Sequence, residues 1–308
     1  MSEPLIELRM WRQFIAVAET LHFGRAALRL HMTQPPLTQA IAGLEQRLGV
    51  RLFDRTKRSV QLTEAGKALL PEARELLARA TSLPAHARAA AVGETGRLRL
   101  AFVSTVGYRL LPQWVQAFRM AYPRVELDLI ESTGDVQLAS LERGDIDAGF
   151  MMHSVGMEPP GLNHLRVIRE PLVLALPQQH ELAVVRSLAL GRALDEPLVI
   201  FPRRTLPSLH DAVFAMYHTA GRTPHVSQEA VQILTLVNLV AAGLGVAWVP
   251  ETVRQFQRAG ITYRQITGKQ AQQVPRVDTS LFWRSSANPT LERFIEFAQE
   301  HRPFPETP

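Results

Sequence analysis

A segment from residue 33 to residue 48 combines an apolar stripe with a face of small polar side chains that could read the edges of DNA bases. Gln can hydrogen-bond an adenine edge, and Thr can contact either bases or phosphate. At helical spacing the stripe spans roughly 60° and consists of Leu37, Ile41, Leu44 and Leu48, whereas the opposite face carries Pro35, Gln39, Ala42 and Gln46, with Thr38 on its flank. The pattern predicts a helix that fits a major groove, although an ordinary amphipathic surface helix has the same stripe.

Basic residues follow this segment directly. Short alternating segments at 50–53 and 59–62 flank the stretch from Asp54 to Arg58, which predicts two short strands with a basic tip. Such a wing reaches phosphates or the neighbouring minor groove. A charge run is usually a solvated face, but the position of this one after a candidate recognition helix favours DNA contact. The five basic residues are Arg47, Arg51, Arg55, Lys57 and Arg58.

The residues before position 33 complete a DNA-binding unit. Apolar residues at helical spacing predict a first helix over about 5–20, and residues 23–30 form a short second helix. Thr33 can cap the third helix, with Pro35 and Pro36 in its first turn, where a missing N–H costs little. Tandem helices with a tight connection are the helix-turn-helix pattern. Arg25 and Arg29 on the second helix could contact phosphate or simply be solvated.

Composition narrows the class of protein. The chain has 308 residues, 46% of them hydrophobic, without a run long enough to predict a membrane span, and its N-terminus does not resemble a secretory signal. It has no cysteine, so disulfides and thiolate metal sites are excluded and the cytoplasm is the expected compartment. Residues 1–70 hold ten Lys/Arg against six Asp/Glu, so most of the net charge of +5 lies there, which favours nucleic acid as a partner. No cofactor or metal motif is found.

The N-terminal third resembles a known family. The run FGRAALRLHMTQPPLTQAIAGLEQRLGVRLFDRTKRSVQLTEAG looks like the DNA-binding end of LysR-type transcriptional regulators, and QPPLTQ is most similar to the benzoate, muconate and chlorocatechol regulators of aromatic catabolism. These relatives often have Arg where this chain has Gln39, which implies a different base preference. The residues expected to bind DNA are Thr33, Gln34, Pro35, Pro36, Thr38 and Gln39 in the helix, and Arg55, Lys57 and Arg58 in the wing.

A long helix is predicted to begin after Thr63, which can cap it. Leu69, Leu76, Ala80, Leu83 and Ala87 recur at a spacing that fits a helix-pairing seam, and the simplest partner is a second copy of the chain. Pro71 and Pro84 are expected to kink or shorten this helix. LysR-type regulators are known for such a dimerising linker, although the helix could instead pack on its own effector domain.

From Gly93 the pattern changes to strands alternating with helices, which predicts an α/β fold with a largely parallel sheet over 98–151. A second set of strands and helices follows from about residue 171. The predicted architecture is an all-α winged helix-turn-helix domain (1–62), a dimerising linker helix (63–92) and a two-lobed α/β effector domain similar to periplasmic binding proteins (93–303). Lobe I is expected to cover 93–167 and 268–303, and lobe II 168–267.

In such a fold a ligand binds between the lobes, at strand ends and helix starts. Hydroxyl groups follow the first two strands, at Ser104, Thr105, Ser132 and Thr133. From the other lobe, Phe201, Pro202, Arg203 and Arg204 follow a strand, and Arg can clamp a carboxylate. The resemblance to muconate-type regulators implies that Ser104, Thr105, Thr133, Phe201 and Pro202 belong to the effector pocket. An aromatic or dicarboxylic acid is the expected effector. The alternative is that the hydroxyls only cap helices and the arginines are solvated.

Two other classes of protein, an enzyme and a solute-binding protein, fit the sequence less well. The run 208–211 offers the Ser208 hydroxyl, the His210 imidazole and the Asp211 carboxylate, but four consecutive residues at a helix start are better explained as a cap and surface than as a catalytic triad. A solute-binding protein would need a signal peptide and would give the first 90 residues no purpose. The sequence therefore predicts a cytoplasmic regulator that is not an enzyme and binds an inverted-repeat DNA operator as a homodimer or homotetramer, with RNA polymerase as a further partner if it activates transcription.

Overall fold

A computed structural model describes residues 5–55, 59–108, 110–256, 258–285 and 288–302. The chain divides into two compact units, Met1–Arg88 and Ala89–Pro308. Among the described residues, no helix has both the length and the apolar character needed to cross a membrane.

The first unit is a three-helix cluster followed by a small antiparallel ribbon. Its elements are α1 (Leu8–Thr20), α2 (Phe23–Arg29), α3 (Gln34–Leu48), β1 (Phe53–Arg55) and β2 (Val60–Leu62), after which α4 (Glu64–Ala91) begins. Its core contains the predicted stripe residues Leu37, Ile41 and Leu44 together with Phe14 and Phe53. The helix-turn-helix pattern and the wing predicted from the sequence are both present.

One strand of the wing begins later than the alternating pattern indicated. Residues 50–52 are not a strand, and the backbone N–H groups of Leu52 and Phe53 donate to the Glu45 carboxylate. The pairing of β1 with β2 therefore starts at Phe53, opposite Leu62. A side chain from α3 thus holds the chain where the wing begins.

Glu19 links three helices of the first unit. Its carboxylate accepts hydrogen bonds from Arg29 on α2 at 2.6 Å and from Arg74 on α4 at 2.8 Å. The hydrogen bond from Arg74, with help from Arg29, lowers the pKa of Glu19 despite the opposing effect of burial. Arg25 donates to the Thr20 carbonyl oxygen. Both arginines of α2 therefore have partners within the protein.

The start of α4 is as predicted, but its prolines do not shorten it. Thr63 Oγ1 accepts the backbone N–H of Gly66 at 3.1 Å, so the expected cap is present. A Cβ at Gly66 would collide with the Leu52 carbonyl oxygen, so the helix can approach the base of the wing only with glycine there. Pro71 and Pro84 both lie inside the continuous helix Glu64–Ala91. Each removes one N–H donor, but the hydrogen bonds of the flanking turns carry the helix across the gap.

The second unit contains a seven-stranded mixed sheet. Its first part comprises β3 (Thr95–Phe102), α5 (Ser104–Gly107), α6 (Leu110–Ala121), β4 (Arg124–Glu131), α7 (Gly134–Arg143), β5 (Ala148–Ser154) and the long β6 (Asn163–Pro177). The sheet is parallel among β3, β4 and β5, as the alternation predicted. The rest of the sheet is antiparallel.

The later elements of this unit are α8 (Leu190–Leu194), β7 (Leu198–Ile200), α9 (Pro207–Thr219), β8 (Val226–Glu229), α10 (Ile233–Ala241), β9 (Ala247–Pro250), β10 (Ile261–Arg264), β11 (Arg276–Trp283) and α11 (Pro289–Glu300). Short 3₁₀ helices cover Glu181–Ala183, Glu251–Gln255 and Gly268–Gln273. The path through the main sheet is β10-β6-β11-β5-β3-β4, with β9 also paired to β6 and β7 paired in parallel with β8.

Two hydrophobic clusters define two lobes. Lobe I is built around Trp114, Phe118 and Phe294, and lobe II around Leu174, Tyr217 and Trp248. The long strand β6 passes from one lobe to the other: residues 163–171 pair with β11, and residues 172–177 pair with β9 and β10. The chain returns to lobe I at β11. The two lobes are therefore connected twice, once by β6 and once by the segment that leads into β11.

Candidate functional site

The exposed face of α3 carries the side chains expected to contact DNA. Leu37, Ile41 and Leu44 are fully buried, which fixes the opposite face of the helix toward solvent. That face is formed by Thr33, Gln34, Pro35, Pro36, Gln39, Ala42 and Gln46, all exposed, with the half-buried Thr38 beside them. Thr33 takes the N-cap position without a side-chain cap hydrogen bond, and Thr38 Oγ1 donates to the Gln34 carbonyl oxygen at 3.1 Å. The amide of Gln39 is directed away from the core.

Glu45 joins α3 to the wing. One carboxylate oxygen accepts the backbone N–H groups of Leu52 at 2.9 Å and Phe53 at 3.1 Å, and the other accepts Arg55 Nη2 at 2.8 Å. The Arg55 guanidinium also lies 4.8 Å from the centre of the Phe23 ring. Because a third of the Arg55 side chain is still exposed, it is both a structural link and a cation on the surface of the wing. Lys57 and Arg58 lie outside the described residues.

In the second unit, the N-terminal ends of three helices meet at one pocket between the lobes. The residues at these ends that line the pocket are Thr133 and Gly134 of α7, Thr205 and Leu206 before α9, and Gln232 and Ile233 of α10. None of the three N-cap side chains, Thr133, Leu206 and Gln232, makes a cap hydrogen bond. The first N–H groups of each helix lack an intrahelical acceptor, and the helix dipole adds partial positive charge.

The pocket is small and mixed in polarity. It contains about 470 Å³ of space not filled by protein, part of it open to solvent. Ser104 and Ser132 add hydroxyl groups from lobe I, while Val103, Met152, Phe201 and Val231 provide apolar walls. Helix starts plus hydroxyls suit a small anion, and the apolar walls suit the hydrocarbon part of the same molecule.

The predicted effector-binding residues separate into two groups. Ser104, Ser132, Thr133 and Phe201 line this pocket. Thr105 is buried with its hydroxyl 3.7 Å from Met152 Sδ, and Pro202 is buried beside Phe201; neither lines the pocket.

The two arginines expected to clamp a carboxylate lie away from this pocket. Arg203 is exposed and makes a two-pronged ion pair with Asp211, with both distances 2.7 Å. Hydrogen bonding to Asp211 raises the pKa of Arg203, and the same contact lowers the pKa of Asp211. Arg204 is exposed and also does not line the pocket. The positive potential of the pocket therefore comes from backbone N–H groups.

The residues at the start of α9 have separate structural roles. Ser208 Oγ accepts the backbone N–H of Ser154 at 3.1 Å, and Ser154 Oγ donates to the Ser208 carbonyl oxygen at 2.8 Å. His210 stacks on Phe214, with ring centres 4.3 Å apart, and its Nδ1 lies 3.4 Å from Asp211 Oδ1. Ser208 thus links α9 in lobe II to the end of β5 in lobe I, and the group does not form a catalytic triad.

Of the lobe II residues that line the pocket, the sequence predicted Phe201 but not those at the starts of α9 and α10. Thr205, Leu206, Gln232 and Ile233 all belong to helix starts, and the change from strand to helix pattern before each helix was a usable signal. The crossover of β6 between the lobes determines which helix starts converge. The sequence pattern did not predict the first half of this strand.

Comparisons with known proteins agree with this architecture. A family model described as "LysR substrate binding domain" matches residues 91–303, and one described as "Bacterial regulatory helix-turn-helix protein, lysR family" matches residues 8–67. The chain is 41% identical over 297 residues to the transcriptional regulator IlvR of Caulobacter vibrioides, covering 96% of this chain and 98% of that protein. It is 36% identical over 303 residues to the transcriptional regulator AlsR of Bacillus subtilis, covering 95% of each.

A solved structure extends the similarity to a DNA complex. Full-length CbnR complexed with its target DNA superposes with a TM-score of 0.80 at 31% identity, covering 96% of this chain and 99% of that chain. The named relatives are transcriptional regulators rather than enzymes.

Proposed function

Because the chain belongs to the LysR family of DNA-binding transcriptional regulators with an effector-binding domain, we propose that its effector is a small organic acid held between the two lobes. The observation that carries this proposal is the convergence of the α7, α9 and α10 starts on one pocket. Each helix start contributes ~0.3–1 kcal/mol toward an anion at an exposed site, and up to ~2 kcal/mol where the site is partly buried.

The carboxylate of the acid binds at the helix starts, where the Ser104, Ser132 and Thr133 hydroxyls supply further hydrogen bonds. Its hydrocarbon part faces Phe201, Met152 and Val231. An aromatic or dicarboxylic acid has both parts. No arginine of the described residues lines this pocket, so recognition depends on backbone N–H groups and hydroxyls.

We further propose that a homodimer, or a tetramer built from two such dimers, places two copies of α3 on the half-sites of an inverted repeat in the cytoplasm. The exposed Leu76, Leu83 and Ala87 of α4 support pairing between copies. Two copies of one recognition helix related by a two-fold axis require two matching half-sites. RNA polymerase is a further partner if the protein activates transcription.

Binding of the acid regulates DNA recognition by stabilising one arrangement of the lobes. The pocket takes walls from both lobes, so a bound acid favours the arrangement in which both sets of walls contact it. Such a shift requires that the acid bind one state more tightly than the other, since equal affinity for both shifts nothing.

Isothermal titration of the full chain with benzoate, cis,cis-muconate and neutral benzamide tests the effector class. The proposal predicts heat with at least one carboxylate and none with benzamide. Thr133→Glu places a negative charge at the helix starts and should abolish carboxylate binding, whereas Thr223→Glu on an exposed loop should not. Absence of heat with both acids, or equal binding of benzamide, would show that the effector is not an acid of this class.

A further inference from the structure

Gln137 on α7 is fully buried and holds the loop that forms one side of the effector pocket. Its side-chain Nε2 donates to the Ser132 carbonyl oxygen at 2.8 Å, and its backbone N–H donates to the Thr133 carbonyl oxygen at 2.9 Å. Ser132 and Thr133 both line the pocket, whereas Gln137 lies behind them. The Ser132 backbone N–H is bound as well, to the Phe102 carbonyl oxygen at 3.0 Å. The loop between β4 and α7 is therefore fixed by hydrogen bonds on both sides of Ser132.

The direction of the Ser132 carbonyl group sets the direction of the N–H that follows it. The peptide bond between Ser132 and Thr133 is trans, so its C=O and N–H groups point in nearly opposite directions. Because the carbonyl oxygen faces the buried amide of Gln137, the Thr133 N–H points away from that amide. No acceptor for this N–H is found within the described part of the chain. A free N–H at the start of a helix is a ready donor for an anion.

The other end of the Gln137 amide is buried at a cost in stability. Its Oε1 atom has no hydrogen-bond partner among the described residues. A Cβ at Gly149 of β5 would lie only 2.4 Å from this oxygen, so the amide fits only because that position has no side chain. A buried acceptor without a partner destabilises the folded state, and an apolar side chain of similar length would avoid this cost. Stability alone therefore does not explain the amide at this position.

We propose that Gln137 is a positioning residue for the effector: it fixes the Ser132 carbonyl group so that the Thr133 N–H faces the pocket and donates to the carboxylate of the acid. This inference rests on the proposed effector class and adds to it a residue that does not contact the ligand. Without the Gln137 amide, the peptide bond between Ser132 and Thr133 can turn, and the donor loses its fixed direction. Because a hydrogen bond weakens steeply as its angle departs from linear, carboxylate binding weakens although every group that lines the pocket is still present.

Gln137→Met tests this role, because methionine fills a similar volume but has neither the N–H donor nor the unpaired oxygen. In isothermal titration of the full chain with benzoate and cis,cis-muconate, an acid that binds the wild type should bind this variant about tenfold more weakly, as expected for one hydrogen bond to a charged group. The unfolding temperature should stay close to that of the wild type, since removal of the buried oxygen offsets the lost bond. Gln13→Met makes the same change at a buried glutamine of the first unit and should leave acid binding unchanged.

Amide hydrogen exchange of the acid-free protein, followed by mass spectrometry, tests the loop directly. Gln137→Met should speed exchange in the segment 131–137, which contains the bonded N–H groups of Ser132 and Gln137, whereas Gln13→Met should not.

Unchanged exchange in that segment overturns the proposal, as does wild-type affinity of Gln137→Met for an acid that the wild type binds. A large fall in the unfolding temperature of Gln137→Met also overturns it, because the amide would then serve the fold. If neither acid gives heat with the wild type, the proposed effector class is wrong, and the exchange measurement alone decides whether Gln137 fixes the loop.

Discussion

At the scale of single residues, backbone N–H groups take the place of the charged side chains expected in the effector pocket. Arg203 follows a strand of lobe II, as a carboxylate clamp would, but Asp211 lies eight residues later and captures it in an ion pair with two 2.7 Å hydrogen bonds. The pocket itself is lined by hydroxyls and the starts of three helices. A site of this kind binds an anion without a formal positive charge on the protein.

Glu170 provides a test of how burial acts on one carboxyl group. Its pKa is raised to about 6, mainly by burial, so the folded protein binds a proton there more tightly than the unfolded chain does. The free energy of unfolding should therefore fall as the pH rises from about 4.5 to about 6, by about 2 kcal/mol for this group alone. Glu170→Gln keeps the shape and removes this dependence, as measured by urea unfolding from pH 4 to pH 8.

The exposed acid Glu142 supplies the control for this measurement. Glu142→Gln should retain the wild-type decrease in stability over the same pH range. If Glu170→Gln shows the same decrease as the wild type, burial does not hold a proton on Glu170 in the folded protein.

Gln39 and the wing cations should have different effects on DNA binding. Gln39 is exposed on the face of α3 opposite the buried stripe, so Gln39→Ala should change the preference at particular base pairs by ~1–3 kcal/mol. Lys57→Ala or Arg58→Ala should weaken binding to all sequences alike and reduce the dependence on salt. Affinity for a panel of single-base operator variants at several salt concentrations measures both effects. A uniform loss from Gln39→Ala would mean that α3 does not read bases through this residue.

At the scale of elements, strong periodicity was sufficient to predict a helix from the sequence. A strand that pairs with residues far away in the sequence was not predicted. The stripe Leu37, Ile41 and Leu44 predicted α3 because each residue is buried against neighbours close in the sequence. Residues 163–171 were not recognised as a strand, since they pair with β11 more than one hundred residues later. Ser132, Thr133 and Phe201 follow predicted strands and were placed at the pocket, whereas the convergence of Thr205 and Gln232 on it depends on the long-range pairing of β6.

The extent of α4 and the start of β1 also differ from those that the residue pattern predicted. Pro71 and Pro84 predicted a kinked or shortened α4, yet the helix is not shortened and runs from Glu64 to Ala91. The alternating residues before Phe53 predicted a strand, but Glu45 takes the N–H groups of Leu52 and Phe53. A side chain of α3 thus contacts the backbone at the point where β1 begins, which the alternating pattern could not show.

The exposed apolar residues of α4 predict its role in association. Leu76 and Leu83 are 42% and 63% exposed and lie seven residues apart on one side of the helix. Leu76→Glu together with Leu83→Glu should shift the protein toward monomer in sedimentation equilibrium, because two like charges would face each other across a paired seam.

Ala78→Glu together with Ala85→Glu adds the same two charges at exposed positions seven residues apart on the opposite side of α4, serves as the control and should leave the mass unchanged. A leucine variant with the wild-type mass would place the contacts between copies elsewhere on the chain.

At the scale of the whole molecule, the chain joins a DNA-reading unit to a unit that senses small molecules. The first carries a helix-turn-helix and a wing, and the second carries a pocket lined by hydroxyls and helix starts from two lobes. By linkage, an acid that alters affinity for DNA must have its own affinity altered by DNA to the same extent. Titrating the acid with and without operator DNA should therefore give two different dissociation constants.

Sequencing of genomic DNA fragments retained by the purified full chain, followed by a salt titration on the best fragment, tests sequence-specific DNA recognition most directly. We predict enrichment of fragments that share an inverted repeat, with affinity for that repeat exceeding affinity for unrelated DNA at every salt concentration. Retention of fragments without a shared sequence, with affinity that depends on salt alone, would contradict the assignment of α3 as a reading helix.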